Sequence, residues 1–283
     1  MTAENQDTLS AEDLAAWVEE AWNDAGRLRA IIHGALDAGR ATEVQVAAQR
    51  LRDIDDDLDR AAVLHAQVLR MCGEQERAEH DLRAHIKARG GAADTWFALA
   101  PLAAWRGDES DVNTVLDTVL AHDPNHADAL HWGWGYQRRH HGERWAATWL
   151  RDRSEGSWLA LTMRGEHALA WGDTDTAMEL FHEACRAEPR GPGPLERATR
   201  ALAEQGSAEA DAATVRITVR CWTGERGPWP LIAAVEAHLR LGQVAEATLL
   251  MARLRGLVLT EQARPVVAEL ERRVQEAARA RGL

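Results

Sequence analysis

The chain is poor in phenylalanine and tyrosine, with two Phe and one Tyr in 283 residues, and it holds only eight prolines and three cysteines. Each shortage excludes something. Proline is scarce between element ends while Ala, Leu, Glu and Arg abound, a mixture that favours helices over strands. Cys72, Cys185 and Cys221 are far apart and odd in number, so they build neither a disulfide framework nor a four-thiolate zinc site. A reducing compartment fits them best. No apolar run approaches the length needed to cross a bilayer, and the opening "MTAENQDTLSAEDLAAW" is acidic and polar where a secretory signal carries basic residues before an apolar stretch. The expectation is a soluble, cytoplasmic protein without a membrane partner. A positive balance is lacking too: the formal net charge of −12 argues against a surface that neutralises a phosphate backbone, so nucleic acid is not an expected partner.

What the chain does have is a 46% hydrophobic content, enough to bury a core, and an internal repeat. Glycines at 39, 73, 107, 142, 172, 206 and 242 are spaced by 34, 34, 35, 30, 34 and 36 residues. Five residues after them stand Val44, Ala78, Val112, Ala147, Ala177, Asp211 and Ala247, small or apolar except for Asp211. Nine after them come Ala48, Leu82, Leu116, Arg151, Phe181, Val215 and Met251, apolar except for Arg151. Eleven before them lie Leu28, Ala62, Trp96, His131, Leu161, Leu195 and Leu231. These offsets predict seven helical hairpins, each glycine taking the positive φ that ends one helix and an acidic residue often opening the next, as in "RGDES", "HGERW" and "WGDTDT". The "RGD" at Arg106 is then a hairpin turn and carries no adhesion meaning. One hairpin cannot cover its own apolar face, so neighbours must stack.

Two units carry a resemblance to a known family. "TWFALAPLAAWRGDESDVNTVLDTVLAHDPNHA" offers Trp96, Leu99, Gly107, Val112, Leu116 and Pro124; "RGEHALAWGDTDTAMELFHEACRAEP" offers Gly165, Gly172, Ala177, Phe181, Ala184 and Pro189. Over residues 25–259 the chain resembles the tetratricopeptide repeat family. A weaker likeness, from "GERWAATWLRDRSEGSW" into "GEHALAWGDTDTAMELFHEA", looks like the middle of the family of tetratricopeptide repeat protein thirty-eight. The expected fold is all-α, a right-handed superhelical solenoid of about seven such hairpins with terminal capping helices. Residues 1–24 form a tail and a first capping helix, opened by a capping box of Ser10 and Asp13; residues 25–259 form the solenoid; residues 260–283 form the closing helix. The pattern breaks at the fourth unit, where the first helix gains a residue and the second is shortened. Pro101, inside the third unit's first helix, predicts a kink or a helix that begins there.

The family resemblance implies that first helices line a concave groove, at positions ten, six, three and two residues before each turn glycine. Those columns give a basic fringe of Arg29, His33 and Arg70, an aromatic middle of Phe97, Trp105, Trp132 and Tyr136 followed by Arg139 and His140, and then Thr162, Glu166, Glu196, Arg200, Ile232 and Glu236. Trp134, Trp145 and Trp149 fall on interior positions and read as packing. Of the histidines, His122, His126 and His131 cross a turn and lack a completing Cys or carboxylate, which makes a zinc site a weak reading, as is the pair His182 and Cys185. His140 beside Arg139, with His167 approaching, suits a small acid better. No nucleophile elbow, phosphate-cradling loop, dinucleotide fingerprint or HExxH is present, so neither catalytic residues nor cofactors are expected. The functional expectation is a scaffold that binds another protein or peptide in the groove. The alternative is a small-molecule binder, or an enzyme, using a His/Trp/Arg pocket in the fourth and fifth repeats.

Overall fold

The computed structural model describes residues 11–282, which are helical apart from turns and short 3-10 segments, with no strand among them. A leading helix α1 (Ala11–Glu20) precedes the hairpins α2 (Ala25–Asp37) with α3 (Gln45–Ile54), α4 (Leu58–Met71) with α5 (Gln75–Arg89), and α6 (Ala93–Phe97) plus α7 (Ala100–Trp105) with α8 (Glu109–His122). There follow α9 (Ala127–His141) with α10 (Glu143–Asp152), α11 (Trp158–Ala170) with α12 (Thr174–Ala187), α13 (Gly193–Gln205) with α14 (Ala208–Cys221), and α15 (Trp229–Arg240) with α16 (Val244–Arg255). A last helix, α17 (Ala263–Ala280), closes the order. The fold is an all-α array of helical hairpins.

Local chemistry explains the boundaries. All seven turn glycines have positive φ, from 62° at Gly206 to 86° at Gly142, the region a side chain avoids. Past three of them an acid or serine caps the next helix: Asp108, Asp173 and Ser207 each accept from the backbone N–H three residues on, at 3.0, 3.0 and 3.1 Å. Pro101 stands in the first turn of α7 after a break at Ala98 and Leu99, so the third unit's first helix restarts there. Of the expected capping box, Ser10 lies outside the described residues. The first helix also ends earlier than its expected limit near Asp24, because Asp24 accepts from the Arg27 N–H at 3.0 Å and caps α2 instead.

The chain packs as two compact units, the second beginning at Leu130, a division inside the stretch that reads as one continuous array in sequence. In the first unit Leu28, Ile32, Val44, Ala48 and Leu51 share a core with Ala61, Leu64 and Val68. In the second, Ala177, Phe181 and Leu195 pack with Ala210 and Ile217, and Leu231, Val235, Met251 and Leu254 with Val267 and Leu270. Within each unit first helices stack on first helices, α4 on α6, α11 on α13 and α13 on α15, so these hairpins cover one another's apolar faces. Gly165 permits the tightest pairing: a Cβ there would run into the Phe181 ring of α12.

The fourth hairpin is out of phase by one residue on both sides of its glycine. Gly142 itself is the residue preceding α10, whereas Gly107 and Gly172 lie one residue before their caps. The buried residues are therefore Leu130, Ala146 and Leu150 in place of His131, Ala147 and Arg151. α10 has 10 residues where α12 and α14 have 14. The other exception in the columns, Asp211, is buried because Arg240 holds both its oxygens, at 2.7 and 3.0 Å.

Candidate functional site

The residues read as groove-lining fall in both units and have different surroundings. In the first unit Arg29 is committed to packing rather than to a ligand: its guanidinium donates to both oxygens of buried Asp55, at 3.0 and 2.8 Å, joining α2 to the start of α4. His33 and Arg70 are exposed. Phe97 is half-buried against His126, with ring centres 5.3 Å apart, and Trp105 is exposed. His126 uses both ring nitrogens locally, one facing Asp94 at 2.9 Å and the other accepting from the Ala129 N–H.

In the second unit α9 carries two aromatic stripes, set apart by helical spacing. Trp132, Tyr136 and His140 form one: Trp132 stacks on Tyr136 at 5.3 Å and 15°, and Tyr136 meets His140 at 4.3 Å. Tyr136, expected as an exposed anchor, is only 5% exposed because its two neighbours sandwich it. Arg139 and His140 are exposed. Trp134 and Arg138 form the other stripe, with the guanidinium 4.7 Å over the indole ring. His167 belongs here and not beside His140: its ring is edge-on to Trp134 at 6.2 Å, and Nε2 donates to Glu143 at 2.7 Å. With that proton on Nε2, the Trp171 indole nitrogen 3.4 Å away lies beside the ring without bonding to it.

Trp145, expected inside, is 58% exposed. The early start of α10 turns Ala146, Trp149 and Leu150 inward and rotates Trp145 out. Trp149 is buried as expected, with the Arg153 guanidinium over its ring at 4.3 Å.

The first-helix face of the second unit holds two adjoining clefts of about 600 and 510 Å³ that share Glu196 and Arg200. One lies between α11 and α13 and is lined by Glu166, Leu169, Arg197 and Ala201; the other reaches across α13, α15 and α17, lined by Trp229, Ile232, Glu236 and Val266. Two of the carboxylates are spoken for. Arg197 grips Glu166 at 2.5 and 2.8 Å, and Arg273 reaches Glu236 at 3.2 Å. Burial raises the Glu196 carboxyl above its ordinary range, and the Arg200 charge opposes the rise. Arg200 itself is exposed and donates no hydrogen bond among the described residues.

The column spacing had placed Glu166, Glu196, Arg200, Ile232 and Glu236 on this face. Thr162, from the same columns, is instead buried, its hydroxyl donating to the Trp158 carbonyl. Trp229 and Arg197 escape the four columns, and Val266 lies on the closing helix, so repeat arithmetic could not find them. No helix among the described residues is long and apolar enough to cross a membrane.

No protein-family model and no curated protein matches the chain, so the likeness to the family of protein thirty-eight gains no support. Solved structures do match. A tetratricopeptide repeat protein from Parabacteroides merdae is 14% identical over 89% of this chain and 98% of its own, with a TM-score of 0.37. Yeast Tom70 is 12% identical over 99% of this chain and 67% of its own, with a TM-score of 0.42. The TPR2AB domain of yeast Sti1, in its pHSP90 complex, is 15% identical over 95% and 98%, with a TM-score of 0.32. The class rests on the hairpins themselves: this is an all-α helical-repeat protein whose units follow one another at 30 to 36 residues with a positive-φ glycine at each turn.

Proposed function

We propose that the chain is a protein-interaction scaffold that holds an extended segment of another protein along the first-helix face of its second unit. The observation that supports this is the paired cleft. Its floor alternates apolar patches, Leu169 and Ala201 and then Trp229, Ile232 and Val266, with charges fixed by their own partners, and Arg200 stands between them with hydrogen-bond capacity to spare. Such a strip recognises a peptide with an acidic residue flanked by apolar ones: the guanidinium takes the carboxylate and the apolar patches take the neighbours. The first-unit residues Arg29, His33, Arg70, Phe97 and Trp105 take no part in this reading, and neither does buried Tyr136.

The test is selection of peptides from a random displayed library on the full chain, followed by affinity measurement with synthetic versions. Arg200→Ala combined with Trp229→Ala should weaken the selected peptides by about a hundredfold, the scale of two central contacts. Trp132→Ala should leave them unchanged. A library that yields no binder, or binders indifferent to the double replacement, overturns the reading.

A further inference from the structure

On the side of the second unit formed by α10, α11 and α12 lies a separate pocket of about 330 Å³. Its eleven lining residues include three arginines, Arg144, Arg151 and Arg164, together with His167 and Trp134, and no acid. That is unusual in a chain with a net charge of −12. Cations in a folded protein are ordinarily paired when they leave water. Of these three, Arg151 is paired with its neighbour Asp152, at 3.0 Å. Exposed Arg144 and half-buried Arg164 have no carboxylate within ion-pair distance among the described residues; Arg164, the one that leaves water, finds only the Ser154 hydroxyl at 3.2 Å.

The remaining charged groups nearby do not fill the gap. His167 is bonded to Glu143 at the rim, and Glu183 acts on Arg164 only through space. Burial lowers Arg164 from its ordinary range and the facing Arg151 lowers it further, while Glu183 pulls the other way. Trp134 adds an indole N–H that is buried with no acceptor, and Arg138 covers its ring from the other side. Unmet donors and uncompensated positive charge thus converge on one concavity. The rest of the lining is largely aliphatic, a wall of Ala147, Leu150, Ala168 and Leu180 with Thr148 and Thr176.

We propose that this pocket binds a small organic phosphate monoester. Two guanidiniums without carboxylate partners and a third only partly satisfied match a dianion better than a single carboxylate. Their forked N–H groups suit the terminal oxygens of a tetrahedral phosphate. The aliphatic wall and the indole ring would hold the organic portion. The site is independent of the peptide clefts, which are formed by other faces of α11 and α13, so the two readings can fail separately. It also moves the alternative read from the sequence: the fourth and fifth repeats do enclose a His/Trp/Arg pocket, but Arg144, Arg151 and Arg164 line it, while Arg139 and His140 do not.

The test is calorimetric titration and thermal melting of the full chain with glycerol 3-phosphate, inorganic phosphate and malonate at low ionic strength. Glycerol 3-phosphate should raise the melting temperature and bind about tenfold more tightly than the other two, weakening as salt is added. Arg144→Gln and Arg164→Gln should each weaken it about tenfold or more, the scale of one charge-assisted contact. Arg144 is exposed and unpaired, so its replacement leaves folding intact and keeps the test decisive. The proposal is overturned if no phosphate compound shifts the wild type, if both variants bind as wild type does, if malonate binds as tightly as the ester, or if inorganic phosphate equals the ester and the wall contributes nothing.

Discussion

Arg164, half-buried, and Arg240, exposed at its head, stand at two hairpin junctions of the second unit, and their surroundings push them in opposite directions. Arg240 holds buried Asp211 through three contacts and is raised above its ordinary range by that hydrogen bonding. Arg164 is lowered by burial and has a hydroxyl for company. The Arg240 junction uses its cation for cohesion; the Arg164 junction leaves it available. A charge that no part of the chain neutralises is a stronger pointer to a ligand than the number of histidines or tryptophans around it.

The comparison breaks most severely at the most deeply buried cation, which backbone carbonyls rather than a carboxylate satisfy. Arg226 is wholly buried and donates to the carbonyls of Cys185, Glu188 and Gly191 at 2.8, 2.7 and 3.1 Å, closing the C-terminal end of α12. Arg226→Met should cost about 3–5 kcal/mol in urea unfolding, because three acceptors lose their donor together. Next comes a buried base facing an unhelpful cation, His65, with Nδ1 3.4 Å from the Arg52 guanidinium. Burial, then Arg52, depress it to about 4, with Arg77 acting the same way and Asp81 and Glu74 opposing. The folded state holds the neutral ring. Stability is therefore complete above pH 6.5 and falls as pH drops toward 4, by about 3 kcal/mol over that window. His65→Leu should flatten that part of the pH profile, and an unchanged acid slope would contradict it.

Arg240→Met should cost about 2–3 kcal/mol in urea unfolding by leaving Asp211 buried and unpaired. Gly165→Ala, at the same junction as Arg164, should cost about 1–3 kcal/mol by forcing a methyl into Phe181, read as a lower melting temperature. The smallest effect sharpens the contrast: Arg164→Gln without ligand should change stability by no more than about 0.5 kcal/mol in either direction. A loss as large as that of Arg240→Met would place Arg164 in the cohesive class.

The repeat arithmetic made the hairpins legible almost residue by residue, because turn glycines and small contact residues answer to local backbone geometry and close helix approach. Gly142 shows its limit. Counting from that glycine puts Ala147 and Arg151 in the contact columns, but a helix starting one residue early rotates every later side chain by about 100°, and Trp145 went outward for that reason; His131, before the glycine, is displaced because α9 runs on to His141, right up to the glycine. Ion pairs between repeats, such as Arg29 with Asp55 and Arg197 with Glu166, were not legible, for any arginine in the chain is compatible with many carboxylates until packing selects one. The pocket at α10 to α12 was legible as a neighbourhood and not as a set of residues, because its character lies in which charges stay unpaired.

The single-residue offset at Gly142 and the short α10 can also be seen as a crystallographer would see a stacking fault. In a row of identical layers every second helix meets the layer beside it in the same register. A layer that slips phase, with a second helix four residues shorter than those of the two layers after it, leaves an unfilled seam along its edge, while the layers after it keep their order. The cationic pocket lies along α10, the slipped layer. Insertions or deletions that restore a regular spacing at that hairpin should close the seam, so irregular repeats in such arrays are natural places to look for chambers.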